Sequence, residues 1–296
     1  MKSKVCMLMA LLAIFTCVNA KSVKGNGQIV TRSYNVENYD KINIAFGSNS
    51  GFFNFNFRSD NKTTPKFYYA QSNAVSLKIT TDRNLFEYIE VFCKNGQLTI
   101  KNEKNVSIST TRLEVSGSSK GLSYVDVSGN VNFIATTPLN GNALKCVITG
   151  SGDIALNGAV KATNFEASIT GSGDIKAVKG MQCNGFNSHI SGSGDMNFAG
   201  VSANSVEASI TGSGDIALSG RANQGHYSTS GSGDINASGL MVKNAECHSS
   251  GSGDISVYAT DTLNSGTSGS GDIRYKGSPK IDSHNSGSSS LTRIRE

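Results

Sequence analysis

Seven aspartates, Asp153, Asp174, Asp195, Asp215, Asp234, Asp254 and Asp272, each close a Gly-Ser-Gly-Asp tetrapeptide, and their spacing is regular enough to build chemistry on. The tetrapeptides begin at Gly150, Gly171, Gly192, Gly212, Gly231, Gly251 and Gly269, at intervals of 21, 21, 20, 19, 20 and 18 residues. Stacked repeats would place these carboxylates in a file with neighbours ~4.8 Å apart. Each adjacent pair then repels by roughly 1 kcal/mol in bulk water and a few times more where shielded. One partner that offsets this is hydrogen bonding from Ser and backbone N–H groups within each corner, since Asp is a common turn residue. The other is a divalent cation bridging adjacent carboxylates, because hard cations favour oxygen ligands. The calcium-binding solenoid pattern, Gly-Gly-x-Gly-x-Asp in nine residues, matches neither this period nor this spacing. No Lys or Arg falls inside the tetrapeptide.

Counting from the first Gly of each tetrapeptide shows what must position the carboxylates. Four residues after it stand Ile154, Ile175, Met196, Ile216, Ile235, Ile255 and Ile273; two residues before it stand Ile148, Ile169, Ile190, Ile210, Thr229, Ser249 and Thr267. Even offsets are mostly apolar or small, while odd offsets carry Thr149, Ser151, Asp153 and their equivalents. That period of two marks strands with one buried face. A repeat of this length, at ~3.3 Å per residue, traces a closed coil of two or three short strands. The expected fold is all-β: a right-handed parallel β-helix, or β-solenoid, with 18–21 residues per coil, its hand following from the rarity of the opposite parallel crossover. Each buried Ile contributes roughly 2–3 kcal/mol, and atypical end coils must cover the core. The glycine pairs Gly150 and Gly152, Gly171 and Gly173, Gly192 and Gly194, and Gly212 and Gly214 fit a corner where a Cβ would clash or force an unfavourable φ. Degenerate copies at 128–131 and 287–291 extend the array.

The remaining reactive side chains are dispersed. His189, His248 and His284 lie three residues before their motif Gly, on an outward offset, but His189 and His248 are three coils apart, roughly 14 Å, too far to share a zinc ion whose ligands lie ~2 Å from it. His226 is one coil from His248 and offset by two residues. All four read as solvent-exposed, with no ligand or base role. Cys146 and Cys247 share a column five coils apart, about 24 Å, against the ~7 Å Cα separation a disulfide tolerates, so they read as buried free thiols. Cys93 and Cys183 can pair only if the cap folds back. Polysaccharide cleavage on a β-helix needs a localised cluster of acids and bases in a cleft, and glycoside hydrolysis in particular two carboxylates at one separation in unlike environments; identical turn aspartates spread along the axis offer neither. Neither catalytic residues nor a cofactor are expected.

The 296-residue chain has 33 Gly, 3 Pro and no Trp. Lys2 and Lys4 precede an apolar run over 5–18, which reads with residues 1–20 as a cleavable signal peptide. Cys17 is a candidate lipidation site without the small residues that usually flank one. Without this leader the chain carries 25 basic and 22 acidic residues, a near balance that argues against a nucleic-acid partner. No later stretch has the ~18–20 apolar residues of a transmembrane span. Residues 21–115 lack the repeat and hold 13 of the 22 Phe and Tyr residues. Alternation at Lys41-Ile42-Asn43-Ile44, Phe53-Asn54-Phe55-Asn56-Phe57 and Gln97-Leu98-Thr99-Ile100 predicts strands, and 84–88 a short turn or helix. This region reads as the aromatic-rich cap and first coils, with the Phe53, Phe55 and Phe57 trio in the cap core, and 116–296 as the repeat β-helix of one elongated domain.

An opening of the type Gly27-Gln28-Ile29-Val30 to Lys41-Ile42-Asn43-Ile44, then Asn95-Gly96-Gln97-Leu98-Thr99-Ile100, then the Gly-Ser-Gly-Asp-Ile series, resembles the GIN-domain family of autotransporter adhesin heads. The resemblance implies a right-handed β-helix of the Gram-negative envelope, Bacteroidetes above all, exported to the periplasm, the outer-membrane surface or the medium. Adhesion is the inherited role, and a glycan or protein ligand at the cell surface the implied partner. No β-barrel translocator is expected after the repeats, a departure from the family name. The expected function is a non-enzymatic, adhesin-like surface interaction module. The alternatives are a structural or envelope-stress accessory without an external ligand and, more distantly, a carbohydrate-active β-helix enzyme.

Overall fold

The computed structural model describes residues 21–46 and 64–294. Strand makes up 62% of the described residues, with almost no helix, and the strands stack as coils of a β-solenoid of about 8 turns. Two parallel files of strands carry the repeat. One runs up to each tetrapeptide, in register from Ile148 through Ile169, Ile190, Ile210, Thr229 and Ser249 to Thr267. The other begins directly after the Asp, in register from Ile154 through Ile175, Met196, Ile216, Ile235 and Ile255 to Ile273. All seven residues of this second column are at most 1% exposed. A slip of one residue would turn the whole column to water, so burial fixes the register.

A third file runs from Leu139 through Val160, Met181, Val201 and Gly220 to Leu240. The shortening of the repeat is absorbed near it, where register shifts fall between Phe198 and Val201, Ala217 and Ser219, and Ala237 and Met241. The corner that carries the tetrapeptide therefore keeps its place in every coil. Inside, Phe165, Phe186 and Phe198 pack ring against ring with centroids 5.0–5.4 Å apart.

The N-terminal coils are not stacked in chain order. Lys41–Ala45 and Lys66–Gln71 form a coil flanked on one side by Tyr124–Val127 and Asn132–Ala135, and on the other by Gln97–Asn102 and Glu114–Ser119. The outermost strands then reverse direction. Ile89–Lys94 pairs antiparallel with Gln97–Asn102 through a hairpin at Asn95 and Gly96, both with positive φ (52° and 74°). Ser76–Asp82 pairs antiparallel with Glu114–Ser119 and with Ile29–Tyr34. The 3-10 helix Arg83–Tyr88 buries Leu85 and Phe86 against this end. The cap thus covers the core and pairs edges that would otherwise recruit a further strand. The Phe53, Phe55 and Phe57 trio lies outside the described residues.

A buried carboxylate pins the cap together. Asp82 accepts the Gly27 N–H (2.7 Å) and the Thr111 hydroxyl (2.7 Å) at Oδ1, and the Thr110 hydroxyl and Thr111 N–H (both 2.9 Å) at Oδ2. Burial pushes its carboxyl up, but the bonds from Thr111, Gly27 and Thr110 together outweigh burial and hold it below the usual range.

Candidate functional site

Each motif aspartate stands at the corner between the first two files and bonds from coil to coil. Asp153 Oδ1 accepts the backbone N–H of Asp174 at 3.0 Å. The same bond repeats with Asp195, Asp215, Asp234, Asp254 and Asp272 as successive donors, at 2.7–2.9 Å. The peptide beyond reciprocates: the Ile154 N–H donates to the Asp174 carbonyl (2.8 Å) and the Ile175 N–H to the Asp195 carbonyl (2.9 Å). Asn132 begins the ladder by accepting the Asp153 N–H, and Asp272 ends it by accepting the N–H and hydroxyl of Ser290. The bonds expected within each corner therefore run between corners, because parallel register on both sides sets every Asp against the N–H of its counterpart one coil along.

These charge-assisted bonds offset the repulsion along the file. Burial pushes Asp174 up, but the Asp195 N–H and the Lys176 ammonium outweigh it and hold its carboxyl below the ordinary range. The Ser290 N–H and hydroxyl do the same for Asp272. Cations absent from the tetrapeptide arrive from two residues beyond it: Lys176 lies 2.9 Å from Asp174 Oδ2, and Arg274 lies 2.9 Å from Asp254 Oδ2 and 3.6 Å from Asp272 Oδ2.

The glycines have a steric cause. A Cβ on Gly171 or Gly173 would stand 1.9 Å from the carbonyl oxygen of Gly150 or Gly152 in the preceding coil. At Gly150, Gly152, Gly192, Gly194, Gly212 and Gly214 the corresponding separation is 2.0–2.3 Å. None of these glycines has positive φ, so close backbone approach, and not dihedral strain, excludes a side chain.

Sequence reasoning compared the histidines with one another and missed the carboxylate between two of them. His226 Nδ1 and His248 Nε2 each lie 2.9 Å from one oxygen of Glu246. Its register opposite His226, two residues from His248, was the available signal. The imidazoles, His248 foremost, hold Glu246 below its ordinary range against the opposing effect of burial. His189 bonds Ser209 at 2.8 Å, and His284 stands 3.6 Å from Asp282. Among the described residues no three His, Cys, Asp or Glu side chains are grouped to hold a metal ion. Cys93, Cys146, Cys183 and Cys247 are all free, so Cys93 and Cys183 do not pair. Burial pushes the thiols of Cys146 and Cys183 up to about 12 and about 11.

Outside the ladder, two files of hydroxyls flank the corner. Thr149, Thr170, Ser191 and Thr211 stand exposed before it, and Ser151, Ser172, Ser193 and Ser213 within it. A shallow groove of about 420 Å³ beside the first file is lined by Ser209, Thr211, Ser228, His248 and His284 among others. Among the described residues no helix is long and apolar enough to cross a membrane.

Residues 62–197 and 178–279 match the family described as putative auto-transporter adhesin, head GIN domain. The chain belongs to this family. Among solved structures, this GIN-domain chain is similar to a putative lipid binding protein from Parabacteroides distasonis, at 28% identity and a TM-score of 0.69, and to a putative adhesin from Parabacteroides merdae, at 27% and 0.69. A putative adhesin from Parabacteroides distasonis is similar at 27% and 0.68. Each likeness covers 93% of this chain and 100% of the other. No curated protein matches the chain.

Proposed function

We propose that the chain is an exported, adhesin-like surface interaction module without catalytic activity, in which 21–115 serve as cap and first coils and 116–296 as the repeat of one elongated domain. The observation that carries this reading is the engagement of the motif carboxylates by the coil-to-coil ladder. Catalysis calls for acids and bases of unlike environment gathered in one cleft, whereas this ladder spreads its carboxylates one per coil along an axis, each bonded to the next backbone N–H. What faces outward is a regular array of hydroxyls on a long surface, the kind of face with which solenoids meet extended ligands. Family membership, and neighbours described as putative adhesins, support the same reading. So does the leader-like stretch at 1–20, which supports export to the periplasm, outer-membrane surface or medium. The implied partners are glycans or proteins at the cell surface.

Protease shaving of intact cells tests the proposal. Release of peptides from the repeat region is the expected result. Full protection on intact cells, with digestion only after the outer membrane is opened, would confine the protein to the periplasm and overturn an adhesive role.

A further inference from the structure

Charge is segregated around the coil. The corner and the strands preceding it carry the seven motif aspartates together with Glu166, Glu207 and Glu246. The side that holds the third file is the opposite. Within 136–143, 157–164, 178–184, 199–204, 219–224, 238–244, 258–262 and 276–280 the charged residues are Lys161, Lys179, Arg221, Lys243, Lys276 and Lys280, against the single carboxylate Asp261. Lys161, Lys179, Arg221, Lys243 and Lys280 are exposed. The ion pairs among the described residues involve none of these six cations. On the acidic side, by contrast, Lys145, Lys176 and Arg274 are all paired.

Three of these cations, Lys161, Arg221 and Lys243, border a trough. A groove of about 500 Å³ is lined by Asn140, Lys161, Gln182 and Arg221, and a second of about 360 Å³ by Arg221, Asn223, Met241 and Lys243. Ser202 and Arg221 line both, so the two grooves lie end to end along the axis from the coil of Pro138 to that of Thr260, a span of about 29 Å at one coil per ~4.8 Å. Cations therefore recur along a concave path, with side-chain amides between them as donors and acceptors. Met241, 43% exposed, adds an apolar contact.

We propose that this trough binds a linear anionic polysaccharide, laid along the solenoid axis with its carboxylate or sulfate groups against Lys161, Arg221 and Lys243. The proposal rests on the reading of the chain as a surface interaction module and narrows its ligand to one charge class. Arg supplies a planar fork for an oxyanion and Lys a point charge. Amides such as Asn140 and Gln182 suit sugar hydroxyls, and Met241 suits a C–H face. A flexible polyanion can follow several coils, which a compact anion cannot.

Binding of the full exported chain to polygalacturonate, alginate and chondroitin sulfate, with fully methyl-esterified polygalacturonate as the uncharged counterpart, tests this. At least one acidic polymer should bind, more weakly as salt rises, and the methyl ester should not. Lys161→Glu with Arg221→Glu should weaken binding about tenfold or more, and the milder pair Lys161→Gln with Arg221→Gln less so, both with unchanged circular dichroism. Lys104→Glu, the same kind of charge reversal at a single position in a cap loop, should leave binding intact. Equal binding of the methyl ester, or of a neutral glycan on an array, would overturn the anionic assignment while leaving the surface-interaction reading standing. Binding of an acidic polymer unaffected by either pair would overturn the location. Failure of all three acidic polymers would overturn the proposal. Salt-sensitive self-association lost in the Lys161 and Arg221 variants would then assign the trough to the acidic side of a second copy.

Discussion

At the motif aspartate, one carboxylate oxygen accepts a peptide N–H from the next coil, and that bond asks for an acceptor more than for a charge. Asn132 already fills the same place at the start of the ladder. Asp215→Asn should therefore stay within about 0.5 kcal/mol of the parent chain, while Asp215→Ala, which leaves the Asp234 N–H without its partner, should cost about 1 kcal/mol. Chemical denaturation of the two variants distinguishes them. Gly192→Ala is predicted to be worse than either, because its Cβ would stand 2.0 Å from the Gly171 carbonyl oxygen. The expected loss is about 2 kcal/mol or more, with Ser193→Ala, at an exposed position, close to neutral. The need for Gly and Asp at these positions was legible in the sequence, but the direction of their contacts was not. A tetrapeptide read alone suggests a turn satisfied within itself; only the register of neighbouring strands shows that the donor lies about 20 residues away.

Among the elements, the repeat strands were readable because their alternation is local and recurs in every coil. Ile216 is fully buried in that column, and Ile216→Asp should lower the melting temperature sharply or prevent folding, since an unpaired carboxylate would enter the core. The cap resisted reading for a different reason. Its order in space depends on pairings such as Ile42 with Leu98 and with Val125, which no local pattern announces. The antiparallel hairpin at Asn95 and Gly96 was not read from the sequence, although Asn-Gly is the pair such turns favour. Acid should loosen this end. Asp82 has a folded pKa below its unfolded value, so the stability it contributes is present above that unfolded value, about 3.9, and is lost as pH falls through the folded one. Melting followed from about pH 5 to pH 2 should show this loss. Asp82→Asn should be less stable at neutral pH and less sensitive to acid across the same range.

Across the whole molecule, cohesion comes from contacts between successive coils. The ladder oxygens already accept N–H groups, and Lys176 and Arg274 meet three of the carboxylates. Melting curves in excess chelator and in millimolar calcium are expected to coincide; a clear rise in calcium would restore the cation-bridging alternative. The stacked fold and its period were evident from the tetrapeptide spacing, whereas the segregation of charge around the coil was not, because its cations occupy non-equivalent offsets such as Lys161 and Lys243. Parallel register at the corner is the claim on which ladder, glycine contacts and core column all depend. Its most direct test is disulfide trapping of the exposed motif serines, one coil apart in Ser193→Cys with Ser213→Cys and two coils apart in Ser193→Cys with Ser232→Cys, made in a chain lacking the native cysteines. Neighbouring coils in register bring the first pair within the ~7 Å Cα limit and leave the second at about 10 Å, so only the first should close under mild oxidation without loss of stability. Closure of the second pair, or failure of the first, would contradict the account.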